Sequence, residues 1–85
     1  ILARSNVRMD MNDRIAFINN LFDGDAEAFE ASVRYIFSLT DLDVANEYII
    51  EILKPSYNNW FEKEKYERRF SEIVLHHFIE QEKRR

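Results

Sequence analysis

Apolar side chains recur along this chain at the spacing of an α-helix, in four stretches separated by short polar segments. The second stretch is the clearest, since Phe29, Val33 and Phe37 lie four residues apart and Ile36 falls on the same side. Stripes of this kind cover one side of a helix and pack against a common core. The pattern predicts an all-α fold, a small compact four-helix bundle, with helices at about 13–22, 26–39, 41–53 and 60–82.

The residues at the ends of these stretches predict where the helices begin and end. Asn12 is a suitable N-cap for the first helix, because its side chain can accept hydrogen bonds from the free amides of the first turn. Thr40 and Asn59 are predicted to cap the third and fourth helices, each followed three residues later by an acid, as in a capping box. Pro55 is predicted to end the third helix, because a residue before proline is pushed out of the α region.

The only glycine, Gly24, lies where the first apolar stretch has ended and the second has not begun. Glycine adopts positive φ without a Cβ clash, so we predict that Gly24 is the left-handed C′ residue of the first helix. Asp25 is then the predicted N-cap of the second helix, and Asp23 completes the structural turn.

The third and fourth helices have defined predicted core stripes. In the third helix the predicted core residues are Leu42, Ala45, Ile49, Ile52 and Leu53, with Tyr48 at the edge. In the fourth helix they are Tyr66, Phe70, Ile73, Val74 and His77.

Apolar residues that these stripes do not use form the candidate interface. Leu75 and Ile79 project nearly opposite the stripe of the fourth helix, with Phe78 between them. A helix that is apolar on two sides is either central in its fold or covered by another chain. Trp60 and Phe61 form a second candidate patch, although core packing is favoured for Trp60.

Length and composition limit the classes of protein. The 85 residues make at most one domain, with a flexible lead-in at 1–10, a helical domain at 11–82 and a basic tail at 83–85. An apolar fraction of 46% argues against disorder, and no run approaches the roughly 18 apolar residues of a membrane span. The chain has no cysteine, which fits a reducing compartment, and we expect a cytoplasmic location.

The formal net charge of −4 is unevenly distributed. Residues 10–51 carry ten acids and two bases, whereas the two ends of the chain are basic. This arrangement disfavours general nucleic-acid binding, which needs a concentrated basic face. A nucleic-acid accessory role would have to use the basic tail together with Arg4, Arg8, Arg68 and Arg69.

Catalytic and metal-binding patterns are weak. Glu72, His76 and Glu80 share one helix side, but a single helix rarely completes a metal site. The aspartates are explained by helix capping, the serines lack a nucleophile elbow, and one glycine cannot form a phosphate-binding loop. We therefore predict no catalytic residue, no metal and no cofactor, and expect a protein that is not an enzyme.

One segment carries a family resemblance. Asn12-Asp13-Arg14 is followed by an aromatic helix, the turn Leu21-Phe22-Asp23-Gly24-Asp25 and then Phe29. This run resembles a segment of uncharacterised bacterial helical proteins, and the likeness extends over about residues 11–79. The resemblance implies a recurring helical module and brings no activity, cofactor or catalytic residue with it.

The leading hypothesis is a non-enzymatic helical module that works through protein–protein contact, with self-association as one form. The first alternative is a nucleic-acid-binding accessory module that uses the basic ends. A small-ligand pocket between helices is a weaker alternative.

Overall fold

The computed structural model describes residues 9–83, and within that range the chain is helical and has no strand. The helices are α1 (Met11–Leu21), α2 (Ala26–Ser38), α3 (Leu42–Tyr48), α4 (Lys54–Ser56) and α5 (Glu64–Lys83). A π turn, Ile49–Leu53, joins α3 to α4 without a break, so that these three elements form one continuous third helix. A short 3₁₀ turn, Asn58–Trp60, precedes α5. The all-α, four-helix prediction is confirmed.

The first helix begins earlier than predicted, with Asp10 instead of Asn12 as its N-cap. The amide of Asp13 donates to the Asp10 carboxylate at 2.8 Å, and the Asp10 amide donates to the Asp13 carboxylate at 3.3 Å. This reciprocal capping box satisfies two donors at once, which a lone Asn12 cap would not do.

The turn after α1 has two consecutive left-handed residues. Gly24 has φ +82°, as predicted, but Asp23 takes the position directly after the cap residue Phe22, with φ 54°. Aspartate tolerates this region better than most residues. The Gly24 amide donates to the Ile18 carbonyl at 2.7 Å, and Asp25 caps α2 by accepting from the Ala28 amide at 3.0 Å.

The third helix passes through its proline. Its N-cap is Asp41, not Thr40, because the Asp41 carboxylate accepts from the Asp43 amide at 2.8 Å. The predicted end at Pro55 is also wrong, since Lys54 keeps helical angles and the helix continues to Ser56. The Lys54 amide donates five residues back, as in a π turn. We attribute the continuation to this wider turn, which relieves crowding by the proline ring.

The π turn also changes which side chains of the third helix are buried. Ala45, Ile49 and Leu53, at steps of four residues, lie in the core, whereas Ile52 is 57% exposed. A regular α-helix would bring Ile52 close to the Ala45–Ile49 side, but a turn with more residues brings Leu53 there instead. The prediction of a buried Ile52 is therefore wrong.

The fourth long helix begins later than predicted, at Glu64. Asn59 has φ 56°, so Asn59 and Glu62 do not form the predicted capping box. Trp60 and Glu62 are left-handed too, a conformation that costs roughly 1–2 kcal/mol for each residue with a Cβ. Burial of the Trp60 ring, 2% exposed, offsets this strain, and its Nε1 donates to the Leu21 carbonyl at 2.9 Å.

The core is rich in aromatic residues and is formed by α1, α2, the third helix and α5, together with Trp60. Phe17 packs edge-on to Phe70 at 5.2 Å between ring centroids, and Phe22 packs edge-on to Phe29 at 5.4 Å. Trp60 also contacts Phe70 edge-on, at 5.7 Å. These are favoured aromatic geometries. The arrangement fixes one side of α5 against the core and leaves the other side in solvent.

Candidate interaction surface

The solvent side of α5 carries two apolar side chains one turn apart. Leu75 is 41% exposed and Ile79 is 38% exposed, whereas Phe70, Ile73 and Val74 of the same helix are buried. The structure therefore places Leu75 and Ile79 outside the core of this chain. They are an apolar row that its own fold covers only in part.

A groove of about 670 Å³ begins at this row. It lies between the α2–α3 connection and the C-terminal part of α5, so it forms only where these two segments pack side by side. Its apolar lining consists of Phe37, Leu39, Leu42, Phe78 and Ile79. Polar side chains complete it: Ser38, Thr40, Gln81, Glu82 and Lys83. The mixture of an apolar lining and a polar rim is typical of surfaces that bind other proteins.

His77 lies behind the groove and is held by residues that line it. Its ring stacks on Phe37 at 4.2 Å with 11° between the planes, and meets Phe78 edge-on at 5.0 Å. Its Nε2 is 3.4 Å from Nε2 of Gln81. Burial lowers the pKa of His77 below its ordinary value of 6.5, and a hydrogen bond with the Phe37 backbone partly opposes this shift.

Not all residues of the predicted interface lie on the surface. Trp60 and Phe78 are buried core residues, at 2% and 5% exposure, and Phe78 presents only this small remainder to the groove. Phe61 is 67% exposed, held between the left-handed Trp60 and Glu62. Of the five candidates, Phe61, Leu75 and Ile79 are available to another molecule, and of these three only Ile79 lines the groove, with Leu75 one turn away on the same helix.

Most of the other residues named from the sequence either stabilise the fold or do not form a site. The turn residues Asp23, Gly24 and Asp25 are exposed, and Asp25 acts as a helix cap. The Arg69 guanidinium donates to both carboxylate oxygens of Asp13, at 3.0 and 3.2 Å, which lowers the pKa of Asp13. Arg4, Arg8, Arg84 and Arg85 lie outside the described residues. Between residues 9 and 83, no three acidic or histidine side chains, Glu72, His76 and Glu80 included, are grouped to hold a metal.

One exposed apolar row was missed by the sequence analysis. Val44, Tyr48 and Ile52 lie at steps of four along the third helix, and Tyr35 of α2 contacts Tyr48 at 4.7 Å between ring centroids. The four-residue spacing was visible in the sequence. Its outward direction was not, because it depends on the π turn.

The geometry defines the class of protein: a small all-α domain with exposed apolar side chains on several of its helices. The chain belongs to the family described as Domain of unknown function (DUF8457), whose model matches residues 7–79. The resemblance to a family without an established activity is thus confirmed. Comparison with the curated proteins and with the solved structures gave no match. Within residues 9–83, every helix is too short or too polar to cross a membrane.

Proposed function

We propose that this chain is a non-enzymatic helical module of the cytoplasm that works through protein–protein contact, and that it contacts a second copy of itself through the face of α5. The observation that carries the proposal is the partly exposed Leu75–Ile79 row beside an apolar groove. Burying such a row removes apolar surface from water, which is the main favourable term in most protein association.

A second copy fits this surface because the row and the groove are adjacent on one molecule. In a two-fold symmetric contact the same patch is used on both partners. Leu75 and Ile79 of each copy could then lie over the groove lining, such as Leu39 and Leu42, of the other. The surface that these two side chains and the groove lining offer is small compared with the roughly 800 Å² that each partner of a stable complex buries. We therefore expect weak association, with a dissociation constant on the order of 10–100 μM.

Nucleic-acid binding gains little from the described residues. Arg69, one of the bases that it would need, is engaged by Asp13 at 3.0 Å and lies 3.8 Å from Glu72. Both carboxylates would compete with a phosphate for the guanidinium.

The test is the mass of the protein in solution, measured by sedimentation or light scattering from micromolar to millimolar concentration. We expect the mass of the wild type to rise with concentration, and Leu75→Glu/Ile79→Glu to stay monomeric. Ile15→Glu is the matched control, because Ile15 is also an exposed apolar residue of a helix but lies on α1. It should associate like the wild type, and circular dichroism should show equal helix content in all three proteins.

Two results would overturn the proposal. One is a wild type that stays monomeric up to millimolar concentration. The other is an unchanged concentration dependence in Leu75→Glu/Ile79→Glu, which would move the contact to a different face.

A further inference from the structure

The third helix carries an apolar row that its own fold leaves uncovered. Val44 and Ile52 are exposed, Tyr48 is partly exposed between them, and the contact with Tyr48 extends the row to the exposed Tyr35 of α2. The row therefore spans two helices and is continuous. Single exposed apolar residues are ordinary, but a contiguous group of four marks a surface for binding.

A row of acids runs directly beside this apolar row. Asp43, Glu47 and Glu51 each precede a member of the apolar row by one residue, and all three are exposed. None of them forms an ion pair within residues 9–83. The surrounding segment, residues 10–51, contains ten acids and only two bases. One of those bases, Arg14, is paired with Glu30, so little positive charge is left to balance the row.

We propose that this second surface binds a basic amphipathic helix of another protein. Both rows advance by four residues at each step, about 6 Å at the rise of an α-helix, and a partner α-helix can present side chains at a similar spacing. Its apolar edge would cover Val44, Tyr48 and Ile52, and its Lys or Arg side chains would face the acids. Apolar contact gives such a complex its affinity, while complementary charge raises the association rate and the selectivity.

The charge of the surface argues against other occupants. Nucleic acids, anionic membranes and acidic partners would all be repelled by the three exposed carboxylates. The site does not involve the α5 face, and it stands whether or not the chain associates with itself.

The probe is a labelled synthetic peptide of about 18 residues, long enough to be helical, with Leu on one side and Lys on the other. Binding is measured by fluorescence anisotropy at low protein concentration, and the contact is mapped by amide chemical shifts. The control peptides are a scrambled version of the same composition and a version with Glu in place of Lys.

We expect Glu47→Gln/Glu51→Gln to weaken binding about five- to tenfold at low salt, and Val44→Ser/Ile52→Ser to weaken it about tenfold or more. Glu27→Gln/Glu64→Gln removes the same charge at exposed positions off the third helix and should bind like the wild type. Leu75→Glu/Ile79→Glu should also bind the peptide, so that this test is separate from that of self-association.

Each contrary result is decisive. The inference fails if the amphipathic peptide does not bind, or if the scrambled or acidic peptide binds equally well. It also fails if the charge-neutralised and control variants lose equal affinity, or if the shifts map to α5 instead of to Tyr35 and residues 43–52.

Discussion

Replacing Trp60 with Phe tests whether the buried indole holds the strained turn before α5. The substitution keeps an aromatic ring but removes the Nε1 donor, which lies 2.9 Å from the Leu21 carbonyl oxygen. Leu21 is fully buried, so its carbonyl cannot turn to water. An unsatisfied buried acceptor costs about 1–3 kcal/mol, and the smaller ring leaves a void that adds roughly 1 kcal/mol. We expect a total loss of about 2–4 kcal/mol.

This loss is large for so small a domain. At roughly 0.05–0.15 kcal/mol per residue, a chain of 85 residues has a free energy of unfolding of roughly 4–13 kcal/mol. Urea unfolding followed by circular dichroism measures the change, which avoids the fluorescence of the single tryptophan. With a slope of about 1 kcal/mol per molar urea, the midpoint should fall by about 2 M or more.

Phe61→Leu is the matched control, because it alters an exposed aromatic residue in the same turn. It should change the free energy of unfolding by no more than about 0.5 kcal/mol. A loss of less than about 1 kcal/mol in Trp60→Phe would refute the reasoning. In that case the Leu21 carbonyl finds another donor, and the indole does not hold the left-handed turn.

Two further predictions concern the Gly24 turn and His77. A Cβ built on Gly24 meets no atom within 4 Å, so Gly24→Ala should lower the free energy of unfolding only by the cost of positive φ, roughly 1 kcal/mol. Gly24→Asn should lower it less, because asparagine tolerates positive φ better. An unchanged urea midpoint in Gly24→Ala would contradict the left-handed turn. The pKa of His77 is lowered in the folded state, so the unfolded chain takes up this proton more readily. The free energy of unfolding is therefore unaffected by the protonation of His77 above pH 6.5 and falls as the pH drops from there through the folded pKa. Stability should therefore decline as the pH falls below about 6.5, and His77→Phe, which keeps the stacked ring, should flatten this decline. An equal slope in both proteins would show that other groups titrate there.

The sequence was most informative where structure is local. The α2 stripe and the Asp25 cap depend on residues within a few positions, and both lie as predicted. The start of α5 could not be predicted in this way. It is fixed by the bond between Trp60 and the Leu21 carbonyl, which joins positions 39 residues apart.

The candidate surfaces also combine features that local sequence predicts with features that depend on distant segments. Helical spacing alone indicated that Leu75 and Ile79 face away from the core, and they are exposed. The groove beside them joins the α2–α3 connection to the end of α5, so no single stretch of sequence contains it. Phe78 was expected beside an interface but is buried, because its ring is edge-on to His77 where that ring stacks on Phe37 of α2.

The two candidate surfaces differ in electrostatics, and this difference would separate the two proposed contacts. The proposed contact at Leu75 and Ile79 would be mainly apolar, so burial of apolar surface would drive it and added salt should weaken it little. The row on the third helix lies beside three acids that form no ion pair within residues 9–83, so the proposed binding of a cationic helix should fall steeply as salt rises. One molecule could then keep its self-contact while it releases the basic partner. The two proposed contacts use different helices, because Leu75 and Ile79 lie on α5 whereas the exposed Ile52 lies in the π turn of the third helix.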